Sequence, residues 1–460
     1  MAEALDRDVS GVFKAYDVRG TVPDQLDADL ARRTGAAFVA VTGARKVVVG
    51  HDMRPSSPDL AGAFADGVTT AGADVVFIGL ASTDQLYFAS GHLGLPGAMF
   101  TASHNPAQYN GIKLCRAHAR PIGMDTGLAE IRDRVLAGAG ADSRDAAPRT
   151  GSIVQQDVLE AYAAHLLALA PVRGRRLKVV VDAGNGMAGL TAPAVFSRLG
   201  AEQVELVPMY FELDGTFPNH EANPIDPANL VDLQRRVVAE GADIGLAFDG
   251  DADRCFLVDE RGAAVSPSAL TALIAERELA KEPGGVVIHN LITSRAVAEI
   301  VVERGGRPVR SRVGHSYIKE LMAETGAVFG GEHSGHFYFR EFWRADSGML
   351  AALHALAALA ETTAPLSEVL GRHERYVASG EINSTVADPA GVLARLETAY
   401  ADGVTSLDRL DGLTVTHTDW WFNVRPSNTE PLLRLNAEGR DAATMERIRD
   451  AVLATIRSHA

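Results

Sequence analysis

Three times along this chain an apolar run leads through a polar turn into a helical segment and then a second apolar run. The first set is Lys46-Val47-Val48-Val49-Gly50, a helical stretch from about Ser57, and Ala73-Asp74-Val75-Val76-Phe77. The second is Lys178-Val179-Val180-Val181-Asp182, the turn Ala183-Gly184-Asn185-Gly186 with a helical pattern behind it, and Val204-Glu205-Leu206-Val207. The third is Gly285-Val286-Val287-Ile288-His289, the turn residues Thr293-Ser294, the helical Ala296–Ile300, and Pro308-Val309-Arg310. Strand, helix, strand in this order is the βαβ unit of parallel or mixed sheets. A repeat of roughly a hundred residues is too long for a solenoid, so three related α/β domains are expected.

The pattern changes towards the C-terminus. Leu413–Thr416 and Leu432–Asn436 alternate as half-buried strands, and a helix is expected over Ala442–Ile456, which together read as a smaller α+β domain. A chain of 460 residues exceeds one hydrophobic core. The expected division is 1–150, 151–256, 257–370 and 371–460, with the Gly/Ala-rich stretch Ala137–Pro148 as a linker region. The fold class expected is therefore α/β: three related domains with mixed sheets plus a smaller C-terminal α+β domain, set around a central cleft.

Each α/β copy also ends in an apolar strand that runs into a polar loop: Phe100 into Thr101, Phe248 into Asp249, and Phe329 into Gly330. Open α/β sheets bind ligands beyond the carboxyl ends of their strands, so the three loops are expected to converge rather than to lie apart on the surface. In the first, Thr101-Ala102-Ser103-His104-Asn105-Pro106, a hydroxyl is held between a strand and a Pro-bounded turn, with an imidazole and an amide beside it. Such a place suits a serine that must be rigid and reachable.

The second loop is Asp249-Gly250-Asp251-Ala252-Asp253-Arg254. Three carboxylates on alternate residues of a tight turn repel one another unless a hard cation is shared, and Mg²⁺ is the natural occupant. An EF-hand is the rival, but Arg254 stands where that loop needs glycine and the flanks read as strands. The third loop, Gly330-Gly331-Glu332-His333-Ser334-Gly335-His336, offers Glu332 and Ser334 to sugar hydroxyls; its spacing matches no familiar zinc pattern. Arg425-Pro426-Ser427-Asn428-Thr429-Glu430-Pro431 gathers a guanidinium, hydroxyls, an amide and backbone donors, a set suited to phosphate. Near the N-terminus, Arg19 in Tyr16-Asp17-Val18-Arg19-Gly20 has two readings, a cleft residue or a surface ion pair.

Composition limits the partners. The formal charge is -15, from 44 basic and 59 acidic residues, which argues against nucleic acid or an anionic membrane and leaves room for a small anionic substrate. Two cysteines, Cys115 and Cys255, read as reduced core thiols. The N-terminal residues lack the apolar core of a signal peptide, and the apolar stretch Met349–Ala360 is too short to span a bilayer, so a cytoplasmic location is expected.

With these loops in hand, the chain resembles the bacterial phosphomannomutase/phosphoglucomutase enzymes of the α-D-phosphohexomutase superfamily, in order and over its whole length. The motifs that carry the likeness are Tyr16–Gly20, Thr101–Pro106, Asp249–Arg254, Val313-Gly314-His315, Glu332–His336 and Arg425–Thr429. The resemblance implies a phosphomannomutase that interconverts mannose 6-phosphate and mannose 1-phosphate. Phosphorylated Ser103 would donate to a hexose phosphate, a hexose 1,6-bisphosphate would form and also serve as activator, and Mg²⁺ would be held by Asp249, Asp251, Asp253 and a Ser103 phosphate oxygen.

By the same resemblance Arg19, His104, Lys113 and Arg254 lie at the phosphoserine, and His315 and His336 are acid/base and orienting groups. Tyr16, Glu332, Ser334, Arg425, Ser427, Asn428 and Thr429 bind substrate. Glucose and glucosamine phosphates are the alternative substrates, and a monomer or homodimer is expected. A metal-dependent phosphatase with Asp249 as nucleophile is the rival from another class, and a catalytically silent sugar-phosphate sensor is a further one. One loop departs from common family forms at His333; many bacterial members also use a basic residue near the third domain's first turn, which here is Asn290–Arg295, so the resemblance does not carry a phosphate contact onto that turn.

Overall fold

The computed structural model describes residues 9–138, 150–426 and 432–458. They fall into two compact units, one of residues 1–265 and 334–369 and the other of 266–333 and 370–460.

In the first unit, the strands Lys46–His51, Asp74–Leu80 and Gly97–Phe100 pair in parallel, and Tyr109–Arg116 returns antiparallel to Gly97–Phe100. Val18–Thr21 pairs with Tyr109–Arg116, while Ile153–Gln155 forms the opposite edge beside Asp74–Leu80. All four residues of Gly97–Phe100 are buried, as expected of a strand covered on both faces. The helices Ala28–Thr42 and Ser57–Thr70 pack so closely that a Cβ on Gly67 would lie 1.9 Å from the Arg32 carbonyl oxygen.

The second sheet of this unit is built from Leu177–Asp182, Val204–Met209 and Ile244–Phe248 in parallel, with Cys255–Asp259 antiparallel at its edge. Phe248 pairs with Cys255, so Asp249–Arg254 is the loop of a hairpin, which removes the EF-hand reading: its flanks are strands. Residues 334–369 add the hairpin Phe337–Phe339 with Ala345–Asp346 and the buried helix Gly348–Ala360, capped by the Ser347 hydroxyl. Cys115 and Cys255 are both buried, and neither forms a disulfide.

In the second unit, Val286–Asn290 lies between the parallel strands Arg307–Ser311 and Phe329–Gly331. The strand expected to give way to a loop after Phe329 instead runs Phe329–Gly331 and takes in both glycines; a Cβ on Gly331 would lie 2.5–2.6 Å from the Thr271 side chain. The C-terminal sheet is antiparallel, in the order Val377–Thr385, Leu432–Gly439, Trp420–Pro426, Leu413–Thr416, Ser406–Asp408, and the helix Ala442–Arg457 packs on it through Ile448, Val452 and Ile456. Most of the expected linker, 139–149, lies outside the described residues, and among the described residues no helix is long and apolar enough to cross a membrane.

Candidate active site

The serine loop and the aspartate loop meet inside the first unit. Thr101 follows Phe100 out of a buried strand, its N–H bonds the Gly111 carbonyl, and its hydroxyl accepts the Ser103 N–H. Ser103 itself is 2% exposed and has a left-handed φ of 50°, a conformation that costs a non-glycine residue about 1–3 kcal/mol and persists where its surroundings enforce it. Its hydroxyl donates to Asp249 Oδ2 at 2.6 Å, and His104 Nδ1 lies 3.1 Å from the same oxygen. The two loops touch at Gly250, where a Cβ would lie 2.5 Å from the Ser103 carbonyl oxygen.

The three aspartates are buried, and one carboxylate oxygen from each lies within 4.8 Å of the others. Lys113 Nζ donates to Asp251 Oδ2 at 2.7 Å and to Asp253 Oδ2 at 2.6 Å, and the Thr83 hydroxyl also donates to Asp251 Oδ2. The remaining oxygens, Asp251 Oδ1 and Asp253 Oδ1, are buried and accept no hydrogen bond. Two buried carboxylate oxygens without a donor, beside a third carboxylate, are the donor set of a hard divalent cation, so the residues present fit Mg²⁺.

Electrostatics follow from this crowding. Burial, then the charges of Asp253 and Asp251, pushes the Asp249 carboxyl well above its usual range, and burial with Asp251 raises Asp253. Burial alone would also raise Asp251, but the Lys113 ammonium and its hydrogen bonds bring it below the ordinary value. The nearby Arg254 charge, then burial, lowers His104 well below the usual imidazole value.

Arg254 donates through Nε to His336 Nε2 at 3.2 Å and through its backbone N–H to Asp249 Oδ1 at 3.2 Å. Ser334 Oγ lies 2.9 Å from His336 Nδ1, so both ring nitrogens of His336 are engaged. Arg19 forms an ion pair to Asp17 at 2.5 Å, partly buried, and a hydrogen bond to Asn105 Oδ1 in the serine loop at 2.5 Å. Tyr16 is half-buried two residues before the strand Val18–Thr21.

In the second unit Glu332 is buried, and its Oε1 accepts the Asn290 amide and the Gly314 N–H, both at 3.2 Å. Arg425 Nη2 pairs with Glu381 Oε2 at 2.6 Å, and Arg434, its cross-strand partner, reaches Glu381 Oε1 at 3.3 Å. Burial, opposed by Glu381, lowers the His333 imidazole. His315 opens the helix His315–Thr325, but its side chain lies outside the described set, as do Ser427, Asn428 and Thr429. Arg295 donates its guanidinium to the backbone carbonyls of His417, Thr418 and Trp420.

Four family profiles match in order: phosphoglucomutase/phosphomannomutase alpha/beta/alpha domain I at residues 10–140, domain II at 160–262, domain III at 266–376, and the C-terminal domain at 381–455. A phosphomannomutase of Salmonella montevideo is 42% identical over 440 residues, covering 94% of this chain and 96% of its own. A Xanthomonas campestris protein named phosphohexose mutases is 44% identical over 438 residues, with the same coverage of both chains.

The chain belongs to the phosphoglucomutase/phosphomannomutase family. A crystal structure of a phosphoglucomutase/phosphomannomutase family protein from Burkholderia thailandensis superposes with a TM-score of 0.88 at 35% identity, covering 97% of each chain.

Sequence reasoning passed over two residues that this phosphoglucomutase/phosphomannomutase chain places at the site. Arg54 is fully buried behind the serine loop and donates to four of its backbone carbonyls. Asp84 accepts the hydroxyls of Ser82, Tyr162 and Ser347, next to the Thr83 that holds Asp251. Both follow closely on apolar runs, Arg54 in the polar turn Asp52-Met53-Arg54 and Asp84 in the first turn of the helix Thr83–Leu93 capped by Ser82; that position was the available signal.

Proposed function

We propose that the protein is a phosphohexomutase that interconverts mannose 6-phosphate and mannose 1-phosphate through a phosphorylated Ser103, and that it also accepts glucose phosphates. The observation that carries this reading is the buried Ser103 hydroxyl, 2.6 Å from Asp249 in a cluster of three carboxylates faced by Lys113.

In the phosphorylated protein, a free hydroxyl of the hexose monophosphate attacks phosphorus, the new O–P bond forms and the Oγ–P bond breaks. The product is a hexose 1,6-bisphosphate, and Ser103 is left as its hydroxyl. The bisphosphate reverses its orientation, Ser103 Oγ attacks the other phosphate, and the isomeric monophosphate departs. Phosphoryl transfer depends on positioning and charge neutralisation more than on covalent chemistry. Lys113, Arg254 and Arg19 supply fixed positive charge, while His104 Nδ1, 3.1 Å from Ser103 Oγ, is in place to accept the hydroxyl proton of Ser103 when it attacks.

Asp249, Asp251 and Asp253 would hold Mg²⁺, with a phosphate oxygen on Ser103 as a further ligand. The ion supplies charge neutralisation at the phosphoryl oxygens. We assign Glu332 and Ser334 to sugar hydroxyls, Tyr16 to the substrate, Arg425 with Ser427, Asn428 and Thr429 to the distal phosphate, and His315 and His336 to acid/base and orienting roles.

The test compares the wild-type chain with Ser103→Ala on mannose 1-phosphate and glucose 1-phosphate, with Mg²⁺ and catalytic hexose 1,6-bisphosphate. Isomerised product from the wild type, none from Ser103→Ala, and a single phosphate on the wild-type mass are expected. Full turnover or undiminished phosphate release by Ser103→Ala would overturn the proposal in favour of a phosphatase.

A further inference from the structure

We infer that Arg54 is a positioning residue for the phosphoryl-accepting serine, acting through the backbone of the loop that carries it; this rests on the mutase reading above. The strand Lys46–His51 lies parallel to Gly97–Phe100, with His51 opposite Phe100. The turns that follow both strands therefore leave the sheet side by side. Asp52 bonds the Phe100 carbonyl through its N–H, and Arg54 follows two residues later.

From there the guanidinium gathers the neighbouring loop. Nη2 donates to the carbonyls of Ser103 at 2.8 Å and Asn105 at 2.6 Å, and Nη1 to those of Pro106 and Tyr109, both at 2.9 Å. Four carbonyls from seven consecutive residues thus converge on one planar cation. No other side chain could do this, because only guanidinium carries a rigid fork of donors that stays charged when buried.

The fork is itself fixed on every side. Asp52 Oδ2 lies 3.2 Å from Arg54 Nε, and Asp52 Oδ1 accepts the Arg54 N–H at 2.9 Å and the Ser57 hydroxyl at 2.5 Å. Asn110, at the far end of the serine loop, donates to the hydroxyls of Ser56 and Ser57. The Phe217 ring stacks 5.1 Å from the guanidinium carbon, and a Cβ on Gly215 would lie 2.5 Å from the Arg54 Cα.

The consequence reaches Ser103 directly. Its carbonyl direction sets ψ, and with φ at 50° the two dihedrals orient the Cα–Cβ bond that carries Oγ, while the Asp249 hydrogen bond holds the remaining rotation about that bond. Arg54 holds that carbonyl, so it aims a hydroxyl it does not touch. Displacing a reacting atom by about 1 Å costs on the order of a hundredfold in rate.

The test uses full-length wild type, Arg54→Lys, Ser57→Ala and Ser103→Ala. Lysine keeps the charge but cannot reach four carbonyls. Steady-state kcat and KM for mannose 1-phosphate are measured with Mg²⁺ and glucose 1,6-bisphosphate. Intact mass gives the fraction of chains that take up one phosphate.

For Arg54→Lys we expect kcat to fall roughly a hundredfold with KM unchanged, while the phosphorylatable fraction stays near that of the wild type. Ser57→Ala, which unseats Asp52 more gently, should lower kcat several-fold, again at unchanged KM; it stands in if Arg54→Lys does not fold. A loss of kcat that only matches a lost phosphorylatable fraction, or no loss in a folded variant, overturns the inference. Wild-type turnover abolished by Ser103→Ala makes such a failure specific to Arg54. Absence of Ser103-dependent turnover in the wild type sinks the mutase reading and this inference with it.

Discussion

Replacing Lys113 by methionine keeps the length and apolar stem of the side chain and deletes the charge that two buried carboxylates share. The Nζ contacts at 2.7 and 2.6 Å, to Asp251 and Asp253, lie where neither carboxylate is more than 1% exposed. Removing one partner of a buried ion pair costs about 3–5 kcal/mol. The metal-free variant can limit that cost by holding one carboxyl protonated. At pH 7 the unfolded carboxyl is ionised, with a pKa of about 3.9, so keeping it neutral in the fold costs about 1.36 × 3.1, or about 4 kcal/mol.

The sign follows from a folded pKa raised above the unfolded one. The penalty is largest at high pH and falls as pH drops, to about 1.5 kcal/mol at pH 5. Urea unfolding of wild type and Lys113→Met in EDTA, at pH 5 and pH 7, reads this difference. Added Mg²⁺ should narrow the gap at pH 7, because the ion takes over the lysine's neutralising role and its own repulsion from Nζ is gone. A penalty of equal size at both pH values, or none at pH 7, would refute the account of Lys113 as counter-ion.

Gly250→Ala sets a Cβ 2.5 Å from the Ser103 carbonyl oxygen, so the loops must part; we expect kcat to fall by about a hundredfold and the melting temperature to drop as well, read by steady-state kinetics and calorimetry. Burial pushes the Asp84 carboxyl up to about 7, against hydroxyl bonds from Ser347, Ser82 and Tyr162, so its contribution to stability is full below pH 4 and is lost as pH rises through 7. Asp84→Asn should flatten the stability profile between pH 5 and 7, measured by urea midpoints across that range. Arg425→Lys, which cannot bind phosphate bidentately, should raise KM for mannose 1-phosphate by about tenfold while leaving the rate of Ser103 phosphorylation by a small phosphoryl donor unchanged.

The sequence by itself determined the pieces. Valine-rich runs bounded by polar turns are local signals, and the strands at 46–51, 177–182 and 286–290 and the terminal helix 442–457 follow them closely. The motif loops were legible for the same reason, since Asp249-Gly250-Asp251-Ala252-Asp253 declares its chemistry within five residues. Tertiary structure alone decided how those charges are compensated.

Lys113 reaches Asp251 and Asp253 across 138 and 140 positions, Asp84 takes the Ser347 hydroxyl across 263, and Arg54 collects a loop about fifty residues away. It also settled that the Arg295 guanidinium bonds the backbone carbonyls of His417, Thr418 and Trp420, more than a hundred positions away. A buried charge must find its partner wherever the folded chain brings one within about 3 Å, and nothing in local periodicity records which distant residue that is.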